Sequence, residues 1–132
     1  MRNKIIRVTA GIIPREEGKY LIAQRKGEPL VLDGKWEFPG GKIRPGETLK
    51  ECLRRELREE HGVEVVVGDF FDKSIHPYPF GTVELSAFWV KHISGEFESR
   101  VHYETREVYP LEMRKYDIAP ADLPFVEKLI NL

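Results

Sequence analysis

The sequence predicts an α/β domain, a mixed β-sheet with α-helices rather than a purely parallel one. Two observations lead there. Runs rich in β-branched residues recur along the chain, and a capped, strongly patterned helix interrupts them near the middle. Strands and helices therefore neither alternate regularly nor segregate into halves. The 132 residues fit one domain, residues 1–132, large enough to bury a core without disulfides or a structural metal.

Residues 4–13 are rich in Ile, Val and Thr and read as a strand, closed by Pro14 and the Glu16-Glu17-Gly18 turn. Residues 19–25 read as a second strand, paired with the first as a hairpin. Glycine and proline punctuate the stretch from Gly27 to Gly46, which reads as loop with a short ordered piece at Trp36-Glu37-Phe38. Residues 49–61 read as a helix, because Thr48 and Glu51 form a capping box and Gly62 is a natural stop. Strands follow at 63–73 and 82–92, with Pro77, Pro79 and Gly81 in the turn between them, and another at 101–109. A short helix after Pro110 and a last one at 123–131 complete the chain. In the last, Phe125, Val126, Leu129 and Ile130 recur at helical spacing.

Lys plus Arg total 21 and Asp plus Glu 22, so the charge balance gives no reason to expect a nucleic acid polymer or an anionic membrane as partner. A small anionic substrate remains compatible if a metal supplies local positive charge. The single cysteine, Cys52, excludes an intramolecular disulfide and points to a reducing, cytoplasmic compartment. Arg7 breaks the first apolar run too early for a signal-peptide core, and no apolar run is long enough to span a membrane.

The helix at 49–61 carries the strongest anomaly. On a helical wheel Leu49, Cys52 and Leu53 face the core, while Lys50, Glu51, Arg54 and Arg58 face water. One turn further on, Glu56 and Glu60 fall in the middle of the apolar stripe and Glu59 on its edge. Three carboxylates at this spacing repel one another, and each costs roughly several kcal/mol to desolvate without a positive partner. Arg55 can pair with Glu59 at i+4, but one arginine does not neutralise three glutamates. Either the helix end protrudes into solvent or the cluster holds a divalent cation. Oxygen-only ligands suit magnesium or manganese better than zinc.

The residues around this helix fill a known signature. Gly41, Glu47 and Arg55-Glu56-Leu57-Arg58-Glu59-Glu60-His61-Gly62-Val63 match every fixed position of the Nudix box. Trp36-Glu37-Phe38-Pro39-Gly40-Gly41-Lys42 is similar to the segment entering the box in MutT-type enzymes. Ala119-Pro120-Ala121-Asp122-Leu123-Pro124 resembles the C-terminal segment of their CTP-pyrophosphohydrolase branch. The chain thus resembles a Nudix hydrolase over nearly its whole length, with residues 68–108 matching least distinctly. The implied fold is a mixed sheet sandwiched between helices.

The resemblance also implies roles. Glu56, Glu59 and Glu60 resemble ligands of Mg2+, with Mn2+ as the substitute, joined by the backbone carbonyl of Gly40. Glu47 resembles the residue supporting this shell, and Arg55 the arginine that orients a box glutamate. Arg25 matches a position contacting substrate phosphate or sugar, Phe38 one packing on the base, and Asp122 one hydrogen-bonding the base. Glu104 lies where relatives supply a further catalytic carboxylate, although His102-Tyr103-Glu104 departs from the usual spacing by about one residue. Plainer readings compete: a surface arginine, a core phenylalanine, and an aspartate that merely caps the last helix. The four histidines, His61, His76, His92 and His102, lack metal-ligand spacing and read as structural or exposed. Cys52 reads as a small buried side chain. Gly40-Gly41-Lys42 is not a P-loop, since Ile43 stands where Ser or Thr is required.

The activity implied is hydrolysis of a nucleoside triphosphate to the monophosphate and pyrophosphate. The substrate is either an oxidised nucleotide such as 8-oxo-dGTP, or CTP or a modified pyrimidine triphosphate. Dinucleoside polyphosphates or nucleotide sugars are the alternative substrates, and a non-catalytic nucleotide sensor is the alternative of another class. A small nucleotide is the expected partner, for a monomer or homodimer.

Overall fold

The computed structural model describes residues 4–132. Residues 1–3, the start of the segment read above as lacking a signal-peptide core, lie outside the described residues. The elements are β1 (Ile5–Ile12), β2 (Tyr20–Arg25), β3 (Trp36–Glu37), β4 (Gly40–Lys42), α1 (Leu49–His61), β5 (Glu64–Tyr78), β6 (Gly81–Ser94), β7 (His102–Val108) and α2 (Leu123–Ile130). No helix among the described residues is long and apolar enough to cross a membrane.

The strands form two sheets. The larger has the order β4-β1-β6-β5 and is mixed: β1 runs parallel to β6 and antiparallel to β4, and β6 pairs antiparallel with β5. The smaller, β3-β2-β7, is antiparallel. Side chains alternate across β1, so each face of the large sheet feeds its own core. Ile6, Ala10 and Ile12 join Phe125, Val126 and Leu129 of α2. Ile13 joins Leu53 and Leu57 of α1, together with Phe88 and Val90 of β6. The sheet is thereby enclosed between the two helices.

Two expectations need correction. The first two strands do not form an extended hairpin. Their direct pairing is confined to the Pro14–Tyr20 bridge and its neighbours, because β4 and β6 occupy both edges of β1. The strands read at 63–73 and 82–92 are longer, and β5 runs on through Pro77. That proline is tolerated because β5 is an edge strand. The short helix expected after Pro110 is present as a 3-10 helix, Pro110–Lys115.

The close approach of β4 to β1 sets the site. A Cβ at Gly40 would stand 1.9 Å from the Thr9 carbonyl oxygen, so only glycine allows this pairing. Thr9 also points its hydroxyl at Cys52 Sγ, 3.5 Å away, and so registers α1 against the sheet.

Candidate active site

Helix α1 has the anticipated capping box. Thr48 Oγ1 accepts from Glu51 N–H at 3.1 Å, and the Glu51 carboxylate accepts from Thr48 N–H at 2.8 Å. Cys52, Leu53 and Leu57 are fully buried, which fixes the rotation of the helix. The same rotation turns Glu56 and Glu60 into the wall of a cleft of about 670 Å³. Gly41 makes room for this: a Cβ there would come within 2.3 Å of Glu56 Cδ.

Arg55 organises one side of the cluster. Its Nε donates to Glu47 Oε2 at 2.6 Å and its Nη2 to Glu47 Oε1 at 3.0 Å, a two-pronged pair. Its Nη1 reaches Glu56 Oε1 at 2.8 Å and Glu59 Oε2 at 3.2 Å, and Nη2 also donates to the Lys42 carbonyl at 3.0 Å. The Arg55 hydrogen bonds, with help from the Arg44 N–H, hold the Glu47 carboxyl down at about 2. Glu59 stands at the rim, half-exposed, and is also gripped by both terminal nitrogens of Arg44 at 3.3 Å.

Glu60 lies beyond the reach of this arginine. Burial first, and the neighbouring Glu56 charge second, push its carboxyl up to about 8. A half-buried carboxyl beside a second, with no cation among the described residues hydrogen-bonded to it, is a natural seat for a divalent ion. The oxygen-only donors of Glu56, Glu59 and Glu60 fit magnesium or manganese.

The opposite wall comes from the small sheet and the segment before α2. Arg25, the last residue of β2, donates from Nη1 to Glu37 Oε1 at 3.0 Å. The other Glu37 oxygen accepts from His102 Nε2 at 3.1 Å. Burial alone would raise the Glu37 carboxyl, but the bond from His102 and the charge of Arg25 bring it below its ordinary value. Arg25, Glu37, His102 and Asp122 all line the cleft.

Three readings of individual residues change. Phe38 is only 2% exposed, and its ring packs edge-on against Phe125 in the core, 6.3 Å between centroids, so it offers no face for a base. Asp122 makes no capping hydrogen bond. Instead its Oδ2 accepts from the Phe38 N–H at 2.9 Å, because the segment before α2 folds onto β3. Burial, then the Glu37 charge, raises the Asp122 carboxyl well above the usual range. That favours the neutral acid, which can donate as well as accept. Glu104 is absent from the cleft lining and pairs with Arg106 on β7; a register shift in the β2–β7 ladder, where Ala23 faces Thr105 but Arg25 faces His102, breaks the alternation that would put it on the His102 face.

Sequence reasoning missed Glu37 and His102 as site residues. A charged residue inside the short Trp36-Glu37-Phe38 strand was the available signal. What it could not supply is the pairing of β2 with both β3 and β7, which brings Arg25 beside Glu37 and opposite His102.

Comparison with known proteins agrees with this arrangement. The NUDIX domain model matches residues 5–129. A CTP pyrophosphohydrolase of Escherichia coli is 37% identical, over 98% of this chain and 94% of its own length. An 8-oxo-dGTP diphosphatase of Haemophilus influenzae is 33% identical over 99% and 96%. Among solved structures, a MutT protein from Methanosarcina mazei superposes with a TM-score of 0.88 at 26% identity, covering 99% of this chain and 96% of that one. The fold is thus shared over nearly the whole chain, and the chain belongs to the Nudix hydrolase family.

Proposed function

We propose that the chain is a magnesium-dependent nucleoside triphosphate pyrophosphohydrolase, releasing a nucleoside monophosphate and pyrophosphate. The observation that carries this reading is the half-buried Glu56–Glu60 pair in the cleft wall, whose mutual repulsion Arg55 leaves unrelieved at Glu60. The names of the relatives, a CTP pyrophosphohydrolase and an 8-oxo-dGTP diphosphatase, support the substrate class.

Glu56, Glu59, Glu60 and the Gly40 carbonyl would hold Mg2+ or Mn2+. When bound, such ions neutralise the phosphates, acidify water and stabilise the leaving group. Arg55 fixes the directions of Glu56 and Glu59, and Glu47 fixes Arg55. Arg25 places a permanent positive charge on the far wall, where it can meet a substrate phosphate. Glu37 limits the swing of that guanidinium, and Asp122 presents one free carboxyl oxygen for a base edge. Glu56 and Glu60 of α1 lie in the cleft wall, where a carboxylate can take the proton of the attacking water.

The test is turnover with magnesium on a panel containing CTP, 8-oxo-dGTP, the ordinary triphosphates, a dinucleoside polyphosphate and a nucleotide sugar, with product chromatography. Monophosphate plus pyrophosphate is expected. Diphosphate plus inorganic phosphate, or turnover only on the last two substrates, would overturn the proposal.

A further inference from the structure

Behind Glu60, two histidines left out of the proposed reaction share one buried space. His61 ends α1 and is fully buried, and His102 begins β7 with 7% exposure. Their rings lie nearly parallel, 5.0 Å between centroids. His61 Nδ1 is 2.8 Å from the Glu98 carbonyl oxygen, to which it donates, so the remaining lone pair is on Nε2. Burial pushes the His61 imidazole down to about 4, which keeps it neutral. His102 Nε2 donates to the Glu37 carboxylate, which leaves Nδ1 as the second free nitrogen. His61 Nε2 and His102 Nδ1 are buried and have no hydrogen-bond partner among the described residues. Together with a Glu60 carboxylate oxygen, the two rings offer three ligand atoms within 4.8 Å of one another.

This is how a protein prepares imidazoles to bind a metal. One ring nitrogen of each is tied to a carbonyl or carboxylate, fixing the tautomer and orientation and leaving the other nitrogen as donor. Two imidazole nitrogens with one carboxylate suit an ion of the zinc class, not magnesium. A tetrahedral ion with bonds of about 2.0–2.1 Å holds its ligand atoms roughly 3.4 Å apart. From separations of up to 4.8 Å, the three groups therefore need to close by at most about 1.4 Å.

We infer that Glu60, His61 and His102 form a binding site for a zinc-class divalent ion, distinct from the oxygen-only set on the cleft side of α1. The two sets share Glu60. On the reading given under Proposed function, a zinc-class ion draws Glu60 away from the magnesium set and represses turnover, making this an inhibitory site. The binding itself does not depend on that reading.

The experiment uses the whole chain, labelled with 15N in its histidine rings and kept in excess magnesium, titrated with zinc. Long-range 1H–15N correlation should show His61 Nε2 and His102 Nδ1 moving together, while His61 Nδ1 and His102 Nε2 keep their protons. His61→Leu, which keeps an apolar side chain of similar size, should retain magnesium-supported turnover. It should need at least about tenfold more zinc for half-inhibition. The inference fails if the two nitrogens do not move, or if the parent and His61→Leu are inhibited by the same zinc concentration. Should His61→Leu fold poorly, the ring-nitrogen readout on the parent still decides. Absence of magnesium turnover with movement of both nitrogens would refute the proposed activity and leave the zinc site standing.

Discussion

Replacing Glu60 with glutamine should stabilise the metal-free protein while ending its activity. Glu60→Gln keeps the shape and removes the charge that Glu56 and burial oppose. The carboxyl is displaced from its ordinary value of 4.5 to about 8. At about 1.4 kcal/mol per tenfold change, that displacement corresponds to about 5 kcal/mol against the ionised form. Glu60 is only partly buried, so solvent screening reduces this to roughly 2 kcal/mol. The folded-state value lies above the unfolded one. Below about pH 4.5 the group is protonated in both states and costs nothing, and the penalty grows until the pH passes about 8. The assay is thermal unfolding of parent and variant with chelator present, at about pH 5 and about pH 9. Near pH 9 the variant should melt roughly 5–10 °C above the parent, and near pH 5 the two should nearly coincide. Magnesium should raise the melting temperature of the parent far more than that of the variant. An identical offset at both pH values, or a variant less stable near pH 9, would refute the argument that Glu60 is held against charge repulsion.

Arg55→Lys keeps a positive charge but loses the fork that grips Glu47 while reaching Glu56 and Glu59, so kcat/KM with magnesium should fall about 10–100-fold with the fold intact by circular dichroism. Glu104→Gln should leave kcat/KM within about twofold of the parent, because its carboxylate is exposed and paired with Arg106 outside the cleft. Asp122→Ala should weaken discrimination among bases by roughly 1–3 kcal/mol, read as kcat/KM ratios across a triphosphate panel. Asp122→Asn, which both donates and accepts as the neutral acid does, should preserve more of the ranking. A ranking unchanged in both variants would make Asp122 only the tie to the Phe38 amide.

The sequence by itself determined helix α1 and the direction of its carboxylates. Thr48, Glu51 and Gly62 act over a few residues, and the phase of Cys52, Leu53 and Leu57 dictates where Glu56 and Glu60 must point. Those signals are local, so they survive without knowledge of the rest of the chain. The far wall of the cleft was decided only by tertiary structure. Arg25, Glu37 and His102 belong to three separate strands and meet because β2 accepts both β3 and β7, a pairing set by packing over the whole core. The same folding turned Phe38 into the core and tied Asp122 to its amide rather than to the start of α2. Along β7, a register shift between His102 and Thr105 breaks the alternation that would put His102 and Glu104 on one face, leaving His102 in the cleft and Glu104 outside it. A displacement of one residue along a strand reverses the face a side chain occupies. A motif near the right place could therefore name the strand, but not which of its side chains reaches the site.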